Sequence, residues 1–327
     1  MRLTSLYRLL LCLVCIFWLT PSCTGEARRA MEAAGEAFDR GDFPQAVSLY
    51  SQAIEAKNPG EEIGQAYYGR ANALSRQKRY DQAVLDYDKA ASWCPNCPDV
   101  YFARGSAKEN LGRLEQALAD YNKAIELDPE YAEAYNNRAN VWAKQENYER
   151  AIADYSKTLE FKPSDTDAWY NRGLAWHNSR RYPQAIADYT AALKLNPVYP
   201  AYNNRGNAYL AQGEITKALA DYSRAIELNH KDPIARFNRG NLYFDKGDYA
   251  QALIDYDRGL EIWPENTEAY FNRSHALFRL GDLTRALQDA RQALSRDPAN
   301  AEYQAWAGEL EEAVGTLKTG GTKLPDL

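Results

Sequence analysis

Histidine is scarce in this chain, with three in 327 residues. His177, His230 and His275 lie too far apart in sequence for any His-Glu-x-x-His metal motif. A glycine-rich phosphate loop is missing, as is the Gly-x-Ser-x-Gly turn of a nucleophilic serine. Excess positive charge is missing too: 39 Lys and Arg against 45 Asp and Glu leave a net charge of −6, which argues against nucleic acid as the main partner. Alternating strand patterns are absent. Long apolar runs are absent beyond Leu19, and Leu9–Leu19 is too short for an ordinary membrane span. Only Cys94 and Cys97, of five cysteines, lie beyond residue 23. No catalytic residue, metal site or cofactor is assigned, and the chain is expected not to be an enzyme.

What is present is repetition. Apolar residues make up 45 % of the chain and Tyr alone contributes 24, enough for a substantial core. Segments such as QAVLDYDKA, QALADYNKA, RAIADYSKT and QAIADYTAA recur with a period of 34, varying by one at a single step. Their anchors are Ala83, Ala117, Ala151, Ala185, Ala218, Ala252 and Ala286, with Ala46 as an earlier copy offset by an insertion near Pro59. When each unit is numbered from one, position eight is small throughout: Ala34, Ala71, Gly105, Ala139, Gly173, Gly206, Gly240 and Ser274. Position 20 is the Ala series. Position 24 is Tyr in seven units, Tyr50 to Tyr256, and Ala290 in the eighth. Position 32 is usually Pro, which ends the preceding helix. Gly41, Gly112, Gly213, Gly247 and Gly281 mark turns within units.

This pattern resembles the tetratricopeptide repeat. The resemblance implies an all-α fold, a right-handed superhelical α-solenoid of helix-turn-helix repeats. Eight repeats span residues 27–63, 64–97, 98–131, 132–165, 166–198, 199–232, 233–266 and 267–300. Residues 301–314 are expected to form a capping helix with a charged outer face, and residues 315–327 a flexible tail.

Position seven, usually apolar in this family, is Arg in seven repeats: Arg70, Arg104, Arg138, Arg172, Arg205, Arg239 and Arg273. Position 23 is Asp in the same seven: Asp86, Asp120, Asp154, Asp188, Asp221, Asp255 and Asp289. The first repeat has neither, carrying Ala33 and Leu49. Residues that appear and vanish together predict a partly buried Arg–Asp ladder, within or between repeats, because a buried charge is costly unpaired. Seven solvated charges are the alternative.

The resemblance also places the first helix of each repeat on a concave, ligand-binding groove. Position six supplies Asn137, Asn171, Asn204, Asn238 and Asn272, and position nine adds Asn72, Asn140, Asn207 and Asn241. A carboxamide both donates and accepts, so such a ladder could grip an extended peptide backbone. Phe237 with Phe244, and Phe271 with Phe278, are each two helical turns apart and form a candidate apolar anchor. Solvated or capping amides and ordinary core packing are the alternatives.

The N-terminus reads as an export signal over residues 1–22: Arg2 and Arg8, the apolar Leu9–Leu19, then Ser22-Cys23. A small residue before Cys resembles the bacterial lipobox, which makes Cys23 the candidate lipidation site. Thr20 and Pro21 depart from that pattern, and ordinary cleavage or an uncleaved anchor are the alternatives. In an exported chain Cys94 and Cys97 are expected to form a local disulfide, with a redox-active pair as the alternative. The expected function is a protein–protein interaction scaffold. It would be anchored to the membrane in the bacterial envelope and bind other proteins or extended peptides. A chaperone-like carrier and a regulatory subunit of an envelope enzyme complex are the competing readings.

Overall fold

The computed structural model describes residues 25–56 and 62–318. The expected signal segment and Cys23 lie outside the described residues, as does the chain beyond Lys318. The described residues form seventeen helices and no strand. They divide into two compact units, Met1–Pro163 and Ser164–Leu327. The first unit holds α1 (Gly25–Asp39), α2 (Phe43–Glu55), α3 (Ile63–Arg76), α4 (Tyr80–Trp93), α5 (Pro98–Asn110), α6 (Leu114–Leu127), α7 (Ala132–Lys144) and α8 (Tyr148–Phe161). The second holds α9 (Thr166–Asn178), α10 (Tyr182–Leu195), α11 (Tyr199–Ala211), α12 (Ile215–Leu228), α13 (Ile234–Asp245), α14 (Tyr249–Ile262), α15 (Thr267–Arg279), α16 (Leu283–Arg296) and α17 (Ala301–Lys318). No described helix is long and apolar enough to cross a membrane.

Within each unit the helices pair antiparallel, and each pair packs on the next. Small residues set the approach. The eight Ala of position 20 are fully buried, and the Tyr of position 24 presses on position eight. A Cβ added to Gly105, Gly173 or Gly206 would sit 2.9, 2.8 or 2.7 Å from the ring of Tyr121, Tyr189 or Tyr222. Larger residues there would force the pair apart. No pair can bury its apolar face alone, so stacking supplies the core.

The turn inside each repeat passes through a left-handed residue at position 15. Gly41, Gly112, Gly213, Gly247 and Gly281 have φ between 72° and 84°. The same position in the other repeats is Lys78, Glu146 and Arg180, with φ of 61°, 59° and 58°. Asp42, Asn147, Asp248 and Asp282 then cap the following helix, each accepting from the amide three residues on.

The stack closes on α17. The eighth repeat has Ala290 where the others have Tyr, and the indole of Trp306 stands in for the missing ring. Its Nε1 donates to Ser274 Oγ at 2.8 Å, and it stacks on His275 at 4.0 Å. Leu310 and Ala313 are buried beneath it, while Glu302, Glu309 and Glu312 face water. The helix runs to Lys318 rather than ending at residue 314, so Gly315–Lys318 is helix and not flexible tail. One helical Gly costs only about 1 kcal/mol, and Thr316 bonds back to the Glu312 carbonyl at 2.9 Å.

A left-handed conformation costs a non-glycine residue on the order of 1–2 kcal/mol, part of which glycine returns through its extra chain entropy. Lys78→Gly, Glu146→Gly and Arg180→Gly should each raise stability by about 0.5–1 kcal/mol in urea unfolding. A loss of stability would contradict the assigned turn.

Candidate functional site

All seven predicted Arg–Asp pairs form, each between the two helices of one repeat. The guanidinium Nε and Nη2 donate in parallel to both carboxylate oxygens. Arg138 reaches Asp154 at 2.7 Å twice, and Arg239 reaches Asp255 at 2.8 Å twice. The carboxylates are buried, Asp255 being 1 % exposed. Within each unit the remaining nitrogen, Nη1, reaches back to position 25 of the preceding repeat. Arg70 bonds Ser51, Arg104 bonds Asp88, Arg138 bonds Asn122, Arg205 bonds Thr190, Arg239 bonds Ser223 and Arg273 bonds Asp257, at 2.6–2.9 Å. Each of these six guanidiniums therefore ties its own helix pair together and ties that pair to the one before. Aromatic rings three residues earlier back several of them, such as Trp169 at 4.7 Å from Arg172 and Tyr135 at 5.4 Å from Arg138. The donor bonds to Asp86, Asp221 and Asp255 raise the already high pKa of Arg70, Arg205 and Arg239.

The asparagines form a second internal network. The buried Tyr hydroxyls of position 24 donate to position nine: Tyr87 to Asn72, Tyr155 to Asn140, Tyr222 to Asn207 and Tyr256 to Asn241, at 2.6–2.7 Å. The position-six amide of the following repeat donates to the same oxygen, from Asn238 to Asn207 at 3.2 Å and from Asn272 to Asn241 at 3.1 Å. Asn204 donates to the Tyr170 hydroxyl at 2.8 Å, Asn137 bonds the Tyr121 hydroxyl, and Asn171 is half-buried. Both lone pairs of the Asn207 and Asn241 oxygens are occupied, so the ladder first binds the protein to itself. Burial drives the Tyr87, Tyr155, Tyr222 and Tyr256 hydroxyls far above their ordinary pKa, so they remain donors.

The phenylalanines do not make one exposed anchor. Phe237 and Phe271 are buried in core clusters. Phe237 packs beside Trp263, and Phe271 lies 4.7 Å from Tyr303 of α17. Phe278 stands 5.3 Å from Trp306, and Phe244 5.2 Å from Tyr249. The closing helix covers the surface that Phe271 and Phe278 would otherwise offer.

A cavity of 320 Å³ opens instead in the first unit, among the first helices of its first three repeats. Phe38, Tyr80, Tyr87 and Phe102 give it aromatic walls. Ala103, Ser106 and Ala107 form a low side where Asn137 and Asn140 stand one repeat later. Polar groups come from Asn72, Ser75 and Arg76. The Arg76 guanidinium rests over the Phe43 ring at 5.5 Å and has no ion-pair partner among the described residues. The sequence signal for this cavity was the loss of Asn at position six, where Gly69 and Ala103 stand. Cys94 and Cys97 are joined by a disulfide at the junction of α4 and α5. No group of three or more His, Cys, Asp or Glu that could hold a metal occurs among the described residues.

Family comparisons agree with this geometry. The family described as TPR repeat matches residues 110–146, 206–247 and 240–281, and tetratricopeptide-repeat families match 26–99, 132–165, 166–198 and 267–300. The chain is a tetratricopeptide-repeat protein. A TPR protein of Parabacteroides merdae ATCC 43184 is similar in structure, with a TM-score of 0.56 and 19 % identity over 78 % of this chain and 100 % of that one. A structure from work on PilF of Pseudomonas aeruginosa has a TM-score of 0.56 and 22 % identity over 65 % of this chain and 97 % of that one. At these identities the likeness establishes the fold, an all-α repeat solenoid. No curated protein matches the sequence. TPR arrays are typically non-enzymatic protein-interaction scaffolds, and the repeats support a protein–protein interaction scaffold here.

In the fifth repeat the amide network leaves a hydroxyl without an acceptor. Position nine of the fifth repeat is Leu174, and the buried Tyr189 hydroxyl finds no hydrogen-bond partner. Leu174→Asn should supply the acceptor and raise stability by about 1 kcal/mol. Tyr189→Phe should cost nothing in the same melts, whereas Tyr222→Phe should cost about 1 kcal/mol. Equal losses from the two Tyr→Phe changes would refute the network.

Proposed function

We propose that this TPR protein is exported and lipid-anchored through Cys23 in the bacterial envelope. There it holds an extended segment of a partner protein against the first helices of its first unit. The cavity beside Arg76 carries this reading. Its aromatic walls suit one apolar side chain of the partner, and 320 Å³ is room for a single large one. Arg76, a cation without an acidic partner of its own, suits a carboxylate next to that side chain. The expected ligand is therefore a short extended motif with an aromatic or large aliphatic residue beside Asp, Glu or a chain terminus. A general carrier of unfolded chains draws less support, because the amides that would grip a bare backbone are bonded to one another.

Peptides selected from a random library on the intact chain should share that apolar-acidic motif. Ala103→Phe, which fills the cavity, and Arg76→Glu, which reverses its charge, should each weaken them at least roughly tenfold, with helical circular dichroism unchanged. Peptides that bind both variants as well as the wild type would refute the site. The anchor has its own readout. The intact mass of chain isolated from the producing cell's envelope should begin at an acylated Cys23, and an unmodified terminus contradicts it.

A further inference from the structure

We propose that Cys94 and Cys97 form a reversible thiol–disulfide exchange site, with a dithiol of a partner protein as its co-reactant.

The disulfide is superfluous to the turn it spans. Cys94 ends α4, Cys97 caps α5, and their Cα atoms are 5.4 Å apart. The Cys97 amide donates to the Cys94 carbonyl at 3.2 Å, and the Cys94 amide donates to the Ala90 carbonyl at 2.9 Å. Other inter-repeat connections make the same two bonds without a bridge. Tyr131 bonds Asp128 at 3.1 Å, Asp232 bonds Asn229 at 3.3 Å and Asn266 bonds Trp263 at 3.3 Å. Their first residues likewise cap the preceding helix, with Asp128, Asn229 and Trp263 bonding Ala124, Ala225 and Gly259 at 2.9 Å. At the cysteine turn the Tyr101 hydroxyl adds a bond to the Pro95 carbonyl at 3.1 Å. The backbone thus adopts this turn with ordinary residues, so the S–S bond can open and close while the helices stay in place.

The two sulfurs differ. Cys97 packs against the apolar cluster of Ala90, Ala91 and Val100. It also stands at the N-terminus of the 13-residue α5, where a thiolate is stabilised. The neighbouring Asp99 carboxylate accepts from the Tyr131 hydroxyl at 2.6 Å. Cys94 lies outside that cluster, next to Trp93, whose side chain is 53 % exposed and offers a partner an apolar contact. The geometry therefore makes Cys94 the sulfur attacked and Cys97 the leaving group.

One thiolate of the partner's dithiol attacks Cys94 Sγ. The Cys94–Cys97 bond breaks, its electron pair passes to Cys97 Sγ, and a mixed disulfide to Cys94 forms. The partner's second thiolate then attacks its own sulfur in that mixed disulfide and expels the Cys94 thiolate. The partner's two protons end on Cys94 and Cys97. The partner leaves oxidised by two electrons and this chain leaves as a dithiol, and the reverse sequence restores the disulfide.

The intact chain, held in buffers of varied reduced-to-oxidised glutathione ratio, quenched with acid, alkylated and weighed, tests this. Complete reduction and complete reoxidation are expected with helical circular dichroism unchanged. The Cys94→Ser, Cys97→Ser double variant should melt with the wild type. In wild type quenched part-way through reduction, the glutathione mixed disulfide should map to Cys94 at least roughly tenfold more often than to Cys97. A disulfide that opens only as the helices unfold, a double variant that melts well below the wild type, or mixed disulfides shared equally by the two sulfurs would overturn the assignment. Peptide binding at the Arg76 cavity is not read in any of these measurements.

Discussion

Each repeat after the first is organised around one guanidinium. The planar fork of Arg at position seven meets a buried carboxylate with two parallel bonds, and within each compact unit its third nitrogen crosses to the repeat before. A buried Asp left without that partner would be costly, so the pair fixes which faces of the two helices meet. Lysine could not do the same, since a single ammonium lacks the fixed fork. The amide and tyrosine bonds run on neighbouring positions of the first helix and work in the same sense. Two polar networks thus set register within each compact unit, while small residues and tyrosine rings supply the packing.

That arrangement bears on function. Where the networks are complete, the first helices have their polar groups already engaged. Where they lapse, surface becomes available. In the second and third repeats Gly69 and Ala103 replace Asn at position six, Ser106 replaces it at position nine, and the cavity beside Arg76 appears there. At the end of the array Ala290 replaces Tyr, and the gap is filled from within by Trp306, which makes α17 a closure rather than a ninth repeat. Departures from the consensus, more than the consensus itself, mark the proposed partner cavity and the end of the array.

Much of this was legible in the sequence. The 34-residue period fixed the helix pairs, and the joint appearance of Arg70 to Arg273 with Asp86 to Asp289 announced the clamp. The third arm was hidden because its partners, Ser51, Asp88, Asn122, Thr190, Ser223 and Asp257, share only an acceptor oxygen and no residue type. The Asn series was visible but its role was not, because an amide aimed at a peptide and an amide aimed at a tyrosine hydroxyl have the same spelling. Phe237 and Phe271 share a helix face with Phe244 and Phe278, yet spacing along a helix does not reveal which neighbour covers that face. Position 15 was recognised only where glycine occupied it. Lys78, Glu146 and Arg180 adopt the same left-handed turn because the two helices on either side leave the chain no other path.

The clamp is tested most directly by double-mutant cycles around Arg239, read by urea unfolding. Arg239→Met alone should cost about 3–5 kcal/mol by stranding the Asp255 carboxylate, and adding Asp255→Leu should restore most of it. The cycle with Ser223→Ala should show a coupling of about 1 kcal/mol across the repeat boundary. A cost below roughly 1 kcal/mol for Arg239→Met, with no coupling to either partner, is the behaviour of a solvated surface pair and would contradict the account.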